Sequence, residues 1–263
     1  MSSLDGKTII VTGAASGIGA ATAALLTERG ARVVAFDRSP VMENCVQYIE
    51  IDLSSEESIA NAAAQFYGTA DVLLNISGVP PTVPPLTVLQ VNVTGQLLFT
   101  DAIVSKIKDG GVIVNAASLA GNNWINTLEA STALLKVKQM ADVAAFIEEY
   151  GVSEENCYEL SKEAIIVWTK QSWNRYQDRG IRMNAVSPSA TKTPILQDFI
   201  DTVAARLKNK APGIDGLPGP GTAEDIAGVF AFMCSDDSRW LNGQNLIADG
   251  GLHAARSCQA LGI

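Results

Sequence analysis

Residues 7–19 read KTIIVTGAASGIG, and this stretch decides the fold. Lys7 to Thr12 is a short run of β-branched and apolar residues without polar alternation, the pattern of a strand buried on both faces. Gly13 to Gly19 follows as a glycine-rich turn. Ile18 to Arg29 has helical spacing and stops at Gly30. Arg32 to Phe36 (RVVAF) is a second apolar strand, closed by Asp37, so the segment is one strand–helix–strand unit.

A turn placed between a buried strand and a helix suits a phosphate. The helix start offers free N–H groups and the positive end of its dipole, and glycine lets backbone approach closely because no Cβ intervenes. Gly13, Ser16, Gly17, Ile18 and Gly19 are therefore the candidate diphosphate-binding residues of a dinucleotide site. The competing reading is a purely structural turn. Asp37 ends the second strand, where a carboxylate accepts hydrogen bonds from both ribose hydroxyls and repels a 2′-phosphate, which points to NAD over NADP. Against that stand a merely solvated strand-end aspartate and Arg38 next to it, which can accommodate a phosphate.

The alternation continues outward from this unit. Strands are predicted over Tyr48–Ile51, Asp71–Asn75, Gly111–Ala116, Arg182–Val186 and Gln244–Ala248. Helices are predicted over Ser54–Phe66 (Ser54 or Ser55 as N-cap), Leu89–Ile107, Glu155–Gln177 and Thr222–Cys234. The fold class is thus α/β: one single-domain, Rossmann-type, doubly wound parallel sheet of about seven strands with helices on both faces, spanning residues 1–263. Two segments break the rhythm. Residues 122–157 form an insertion whose apolar residues Leu134, Leu135, Val137, Met140, Val143, Ala144 and Ile147 fit one amphipathic helix. Residues 188–221, rich in proline and glycine, read as a substrate lid with a short helix near Leu196–Leu207.

Composition narrows the function. A net charge of −9 opposes binding to nucleic acid or anionic membrane. No apolar stretch is long enough to span a bilayer, and Met1 to Lys7 is polar, with no apolar leader core. Cys45, Cys157, Cys234 and Cys258 are scattered without CxxC spacing and read as reduced, mostly buried thiols. A cytoplasmic protein is expected. The sole histidine, His253, lies near the C-terminus, which argues against a Ser-His-Asp triad unless the last residues fold back into the site, and against a histidine-based metal centre.

The second chemical constellation is Tyr158-Glu159-Leu160-Ser161-Lys162. Tyrosine and lysine four apart share a helix face. A free phenol ionises near 10, and a neighbouring ammonium lowers that value toward use as a general base. The bland alternative is a surface pair. Ser118 lies just past the fifth strand, where ligands of doubly wound sheets sit, and its hydroxyl can hydrogen-bond a reacting carbonyl. Taken alone, Ser118 is equally a turn serine, and Asn92 a satisfied buried amide.

Together these motifs resemble the short-chain dehydrogenase/reductase family. TGxxxGxG at Thr12 to Gly19, Asp37, Asp52-Leu53, Asn75-Ile76-Ser77-Gly78, Asn92, Ser118, Tyr158/Lys162 and Pro188 to Thr193 occur in the family's order. Within it the chain looks most like bacterial 3α-hydroxysteroid dehydrogenase/carbonyl reductases. The resemblance implies that Tyr158 is the general acid/base, that Lys162 binds the nicotinamide ribose and depresses the tyrosine pKa, that Ser118 orients the carbonyl, and that Asn92 holds a water in a proton relay. It further implies cofactor contacts from Asp52, Leu53, Asn75, Ser77, Gly78, Pro188, Thr191 and Thr193, and a homodimer or homotetramer. The chain departs from the pattern at Ser77, at Pro188-Ser189 in place of Pro-Gly, and in the 40 residues between Ser118 and Tyr158 (158 − 118). The insertion puts the usual helix-bundle dimer surface in question.

Val79, Pro80, Leu119, Trp124, Ser189, Ile195, Leu196 and Phe199 are the candidate substrate-lining residues. A pocket this apolar suits a bulky cyclic alcohol or ketone of steroid or cyclic terpenoid type. The alternatives are a cis-dihydrodiol dehydrogenase or keto-acyl reductase of the same family and, from another class, a non-catalytic NAD-sensing regulator.

Overall fold

Alternation along each strand sorts the core onto two faces. In β1 (Thr8–Thr12) and β2 (Arg32–Asp37), Ile10, Val34 and Phe36 point one way while Ile9, Val11, Val33 and Ala35 point the other, all of them buried. The same division holds for Leu73 against Val72 and Leu74 in β4 (Ala70–Asn75), and for Ile113 against Val112 and Val114 in β5 (Ile107–Ala116). Both faces must therefore be covered, which is the condition for a parallel sheet. The computed structural model describes residues 3–194 and 219–263. Its main sheet has seven parallel strands in the order β3-β2-β1-β4-β5-β6-β9, with β3 at Gln47–Glu50, β6 at Arg182–Pro188 and β9 at Asn245–Ala248. A small ladder pairs β7 (Thr191–Lys192) with β8 (Gly221–Thr222). The doubly wound, seven-stranded sheet read from the sequence is the one observed.

On one face lie α1 (Gly17–Glu28) and α8 (Ala223–Met233), burying Leu26, Ile226 and Phe230. On the other lie α2 (Glu56–Gln65), α4 (Gly95–Ile103) and α7 (Cys157–Gln171), burying Ile59, Phe99 and Ile165. Phe36 and Phe99 meet between β2 and α4 with ring centroids 5.0 Å apart, and both are fully buried. Phe99→Ala is expected to cost about 3–5 kcal/mol in a urea unfolding titration, because the rigid sheet cannot collapse into the gap. A loss below about 1 kcal/mol would show that this face repacks.

A buried polar chain crosses the sheet. Asn75 on β4 donates to Thr100 Oγ1 and to Asn115 Oδ1 on β5, and Asn115 donates to Thr169 Oγ1 on α7. Asn75, Thr100, Asn115 and Thr169 are all fully buried.

Three sequence readings are corrected. The helix expected over Leu89–Ile107 is a composite: α3 (Pro85–Leu89), a widened π turn over Gln90–Thr94, then α4, then a 3₁₀ turn to Lys106. Its true start is marked by Pro85 in the first helical turn. The catalytic helix expected to reach Gln177 ends at Gln171, and the carbonyl of Trp173 beyond it is taken by the Asn242 amide. The insertion holds two helices rather than one, α5 (Leu128–Leu134) and α6 (Val143–Tyr150). Between them lies a 3₁₀ turn (Met140–Asp142), where Met140 N donates to Glu56 Oε1 and Met140 O accepts from Gln90 Nε2 as well as from Val143 N, so the helical ladder is interrupted at Met140 N. Leu134, Met140, Val143 and Phe146 are buried in the same core as α3 and α7. The helix near Leu196–Leu207 lies outside the described residues. All four cysteines are free thiols; Cys157 and Cys234 are buried and Cys258 is exposed.

Candidate active site

The chain order reverses between β1 and β4, so a crevice opens at the carboxyl ends of these strands. The glycine turn fills its floor. A Cβ on Gly19 would lie 1.9 Å from Gly13 O, and Gly13, at φ +73°, would bring a Cβ to 2.9 Å from the Ser77 backbone. Ser16, the N-cap of α1, makes no side-chain capping bond, and the first turn carries no acidic residue. The N–H groups of Gly17, Ile18 and Gly19 thus start a helix with its positive end uncapped from within. Thr193 sits 3.4 Å from where a Gly17 Cβ would be, so the segment after β7 walls the turn. These residues fit a dinucleotide diphosphate.

Asp37 is more than a solvated strand end. Its Oδ2 accepts from Ala15 N at 3.0 Å and its Oδ1 from Ser39 N at 2.8 Å, which fixes a half-exposed carboxylate against the turn, while Arg38 is exposed. Asp52 accepts from Ser54 N and Oγ at 2.8 and 2.7 Å, and Leu53 beside it is buried. The Asn75 side chain is fully buried within the polar chain, so its part is to support the strands. Thr12 opens the glycine-rich motif, and its Oγ1 accepts from both Ile76 N and Ser77 N, while Gln96 donates to Ser77 O. These bonds tie the end of β1 to the segment after β4 that carries Ser77 and Gly78.

The candidate catalytic residues come from the turn after β5, the π turn and α7. The Ser118 hydroxyl faces the Tyr158 phenol and favours its ionised form. Ser118 Oγ also accepts from Ala120 N at 3.1 Å. Lys162 Nζ donates to Ala116 O at 3.0 Å and lies 5.7 Å from the Tyr158 ring centroid. Gly78 keeps the space beside it open, since a Cβ there would come within 3.6 Å of Lys162 Nζ and 3.3 Å of Asn92 Oδ1. Asn92, on the π turn, grips Val79: its Oδ1 accepts from Val79 N at 2.8 Å and its Nδ2 donates to Val79 O at 3.1 Å. The same Nδ2 reaches Ser161 Oγ at 3.3 Å, and Ser161 in turn donates to Tyr158 O at 2.7 Å. Ser161 is thus a link between Asn92 and the catalytic helix that the sequence reading passed over as a spacer.

The electrostatics differ from the sequence expectation. Burial is the main influence on Tyr158 and pushes the phenol above its usual value; the Ser118 hydroxyl opposes it and Glu159 reinforces it. Burial also pulls the Lys162 ammonium down to about 8. In the unfolded chain that ammonium titrates near ~10.4. Between the two values the unfolded chain holds a proton that the folded chain has released, so this group adds stability as pH rises from about 8 toward 10. Below about 8 both states are protonated and the cost of burying the cation is fully present. Cys234, pushed up to about 12, has the opposite slope above its unfolded value. The expected result is that the melting-temperature difference, wild type minus Lys162→Met, rises across that window. A flat difference would show the ammonium is not buried as described.

Val79, Pro80, Leu119 and Ser189 are half-exposed at the carboxyl edge of the sheet. Pro188 ends β6 opposite Ala248, and Thr191 donates to Ser189 O. Trp124 is drawn elsewhere: its ring lies 5.2 Å from Lys170 Nζ, and Lys170 is roughly 18 Å along the α7 axis from Tyr158. Ile195, Leu196 and Phe199 lie outside the described residues.

Known proteins carry the same architecture. The family profile described as short chain dehydrogenase matches residues 7–133, and that described as Enoyl-(Acyl carrier protein) reductase matches residues 129–253. A coniferyl-alcohol dehydrogenase of Pseudomonas sp. strain HR199 is 38% identical over 252 residues, covering 95% of this chain and 97% of that protein. A momilactone A synthase of Oryza sativa is 31% identical over 97% of this chain and 92% of its own length. The crystal structure of a 3-alpha-hydroxysteroid dehydrogenase from Pseudomonas sp. B-0831, complexed with NADH, superposes with a TM-score of 0.81 at 26% identity, covering 96% of this chain and 99% of that one.

Proposed function

The chain is a member of the short-chain dehydrogenase/reductase family, a nicotinamide-dependent oxidoreductase of alcohols and ketones, and from that premise we propose that it uses NAD(H) on a bulky cyclic or aromatic alcohol of apolar character. The observation that carries the reading is the convergence of Tyr158, Ser118 and Lys162, with the lysine 5.7 Å from the phenol ring centroid, at the mouth of a crevice floored by the glycine turn. Nicotinamide, when bound, takes up or returns the hydride. The chain's own residues handle the proton and the oxygen. Tyr158 OH gives its proton to a carbonyl oxygen in reduction and recovers it from the alcohol in oxidation. Ser118 fixes that oxygen beside the phenol. Lys162 holds a positive charge near the phenolate formed in reduction, which favours proton release. Asn92 holds the Val79 backbone, and with it the wall of the cleft.

NAD is favoured by the fixed Asp37 carboxylate, which would repel a 2′-phosphate. The substrate class is supported by the half-exposed apolar residues Val79, Pro80 and Leu119, and by relatives named for coniferyl alcohol and 3-alpha-hydroxysteroids. The test is NAD(P)H absorbance with a panel of steroid, cyclic terpenoid and aryl alcohols. NAD should exceed NADP in kcat/KM by at least about tenfold, and Asp37→Ala should erase most of that ratio. Turnover of acyl thioesters with inert ring alcohols would move the reading to a keto-acyl reductase.

A further inference from the structure

The only histidine lies near the catalytic loop, through the C-terminal helix α9 (Leu252–Leu261). Asn122 Nδ2 and His253 Nδ1 are 3.3 Å apart, and Asn122 is four residues past Ser118 (122 − 118). The route between them is tied at Ala120 and at Gly121. Ala120 N donates to Ser118 Oγ, and Gly121 N to Ser118 O. Gly121 packs so closely on α7 that a Cβ there would meet Lys162 C and O at 2.7 Å. On the other side, the imidazole hangs from the sheet. β9 ends at Ala248, opposite Pro188. Asp249 then accepts from Gly251 N at 2.9 Å and from His253 N at 2.6 Å, across a turn in which Gly250 and Gly251 both have positive φ.

We infer that His253 is a positioning residue for the proposed dehydrogenase reaction: with Asn122 it forms a strut that carries the rigidity of β6 and β9 to the loop of Ser118. The geometry demands such a device. No residue of α9 is buried, so packing does little to hold the helix. The loop it touches follows a residue whose hydroxyl must sit within hydrogen-bond reach of the reacting oxygen, and small displacements there are costly. Neutral imidazole offers one donor and one acceptor, and the Asn122 amide offers both, so the pair meets in either amide orientation. Glutamine at 253 retains both functions; alanine removes them.

The inference rests on the reading of this site as a dehydrogenase, so two readouts are taken on the full-length protein. The first is backbone amide exchange across residues 119–124, which needs no substrate. His253→Ala and Asn122→Ala should each speed it by about tenfold, the double variant should add nothing further, and His253→Gln should exchange as the wild type does. The second is turnover of whichever panel alcohol the wild type oxidises. His253→Ala should lower kcat about tenfold with little change in KM, cofactor affinity or melting temperature, and His253→Gln should restore it. Unchanged exchange in His253→Ala, additive effects in the double variant, or no recovery with glutamine would overturn the strut. If no alcohol reacts, the dehydrogenase reading fails by itself, while the exchange data still decide whether the strut exists.

Discussion

Tyr158→Phe is expected to lower kcat by about 10²–10⁴-fold, the contribution of a positioned proton donor. The substitution removes one oxygen from a side chain that is almost entirely buried, and leaves the ring beside Lys162. Ser118 keeps its bond from Ala120 N, and Lys162 keeps Ala116 O, so the crevice itself should hold its shape. NADH affinity, read by fluorescence titration, should therefore be nearly unchanged. The loss should fall on kcat with KM barely moved, the mark of an interaction made in the transition state. Near-normal turnover by the variant would remove Tyr158 from the chemistry.

Gly19→Ala should strike binding instead. The added methyl would sit 1.9 Å from Gly13 O, a backbone atom in a turn pinned by Gly13 N to Phe36 O and Ala15 N to Asp37. The turn must open, and the N–H groups of the α1 start move off the diphosphate. Losing two such bonds at about 1–2 kcal/mol each weakens cofactor binding by roughly a hundredfold. Gly228, inside α8 with nothing within 4 Å of a Cβ, is the matched control, and Gly228→Ala should be neutral or slightly stabilising. Equal behaviour of the two variants would show that the turn yields without cost.

What could be read from the sequence was what is local. The unit from Lys7 to Asp37 declared itself because strand period, turn residues and helix spacing agree over a short span. Tyr158 and Lys162 share one helix and could be paired by spacing alone. The residues that join separate elements could not be read in that way. Thr12, Gln96 and Ser161 act by bonding to atoms 19 to 69 positions away. The π turn under Asn92 has the same apolar spacing as ordinary helix. Trp124 reads as a pocket wall because large apolar residues near Ser118 invite that reading, while its contact with Lys170 on α7 is tertiary and invisible in the sequence. The phenol's surroundings were misjudged for a similar reason: sequence shows the nearby ammonium but not the depth of burial, which prevails.

The amide pair of Asn75 and Asn115 has a consequence for how precisely the crevice is assembled. A slip of β4 against β5 by one residue would turn the Asn75 amide to the opposite face and break its bonds to Thr100 and Asn115, leaving Asn115 Oδ1 buried without its partner, so that alignment is strongly disfavoured. β4 ends at this pair and β5 one residue later, the first leading toward Gly78 and the second toward Ser118. The pair therefore works like a dowel between two machined parts: it sits outside the chemistry, yet sets the tolerance with which the parts that perform it can meet.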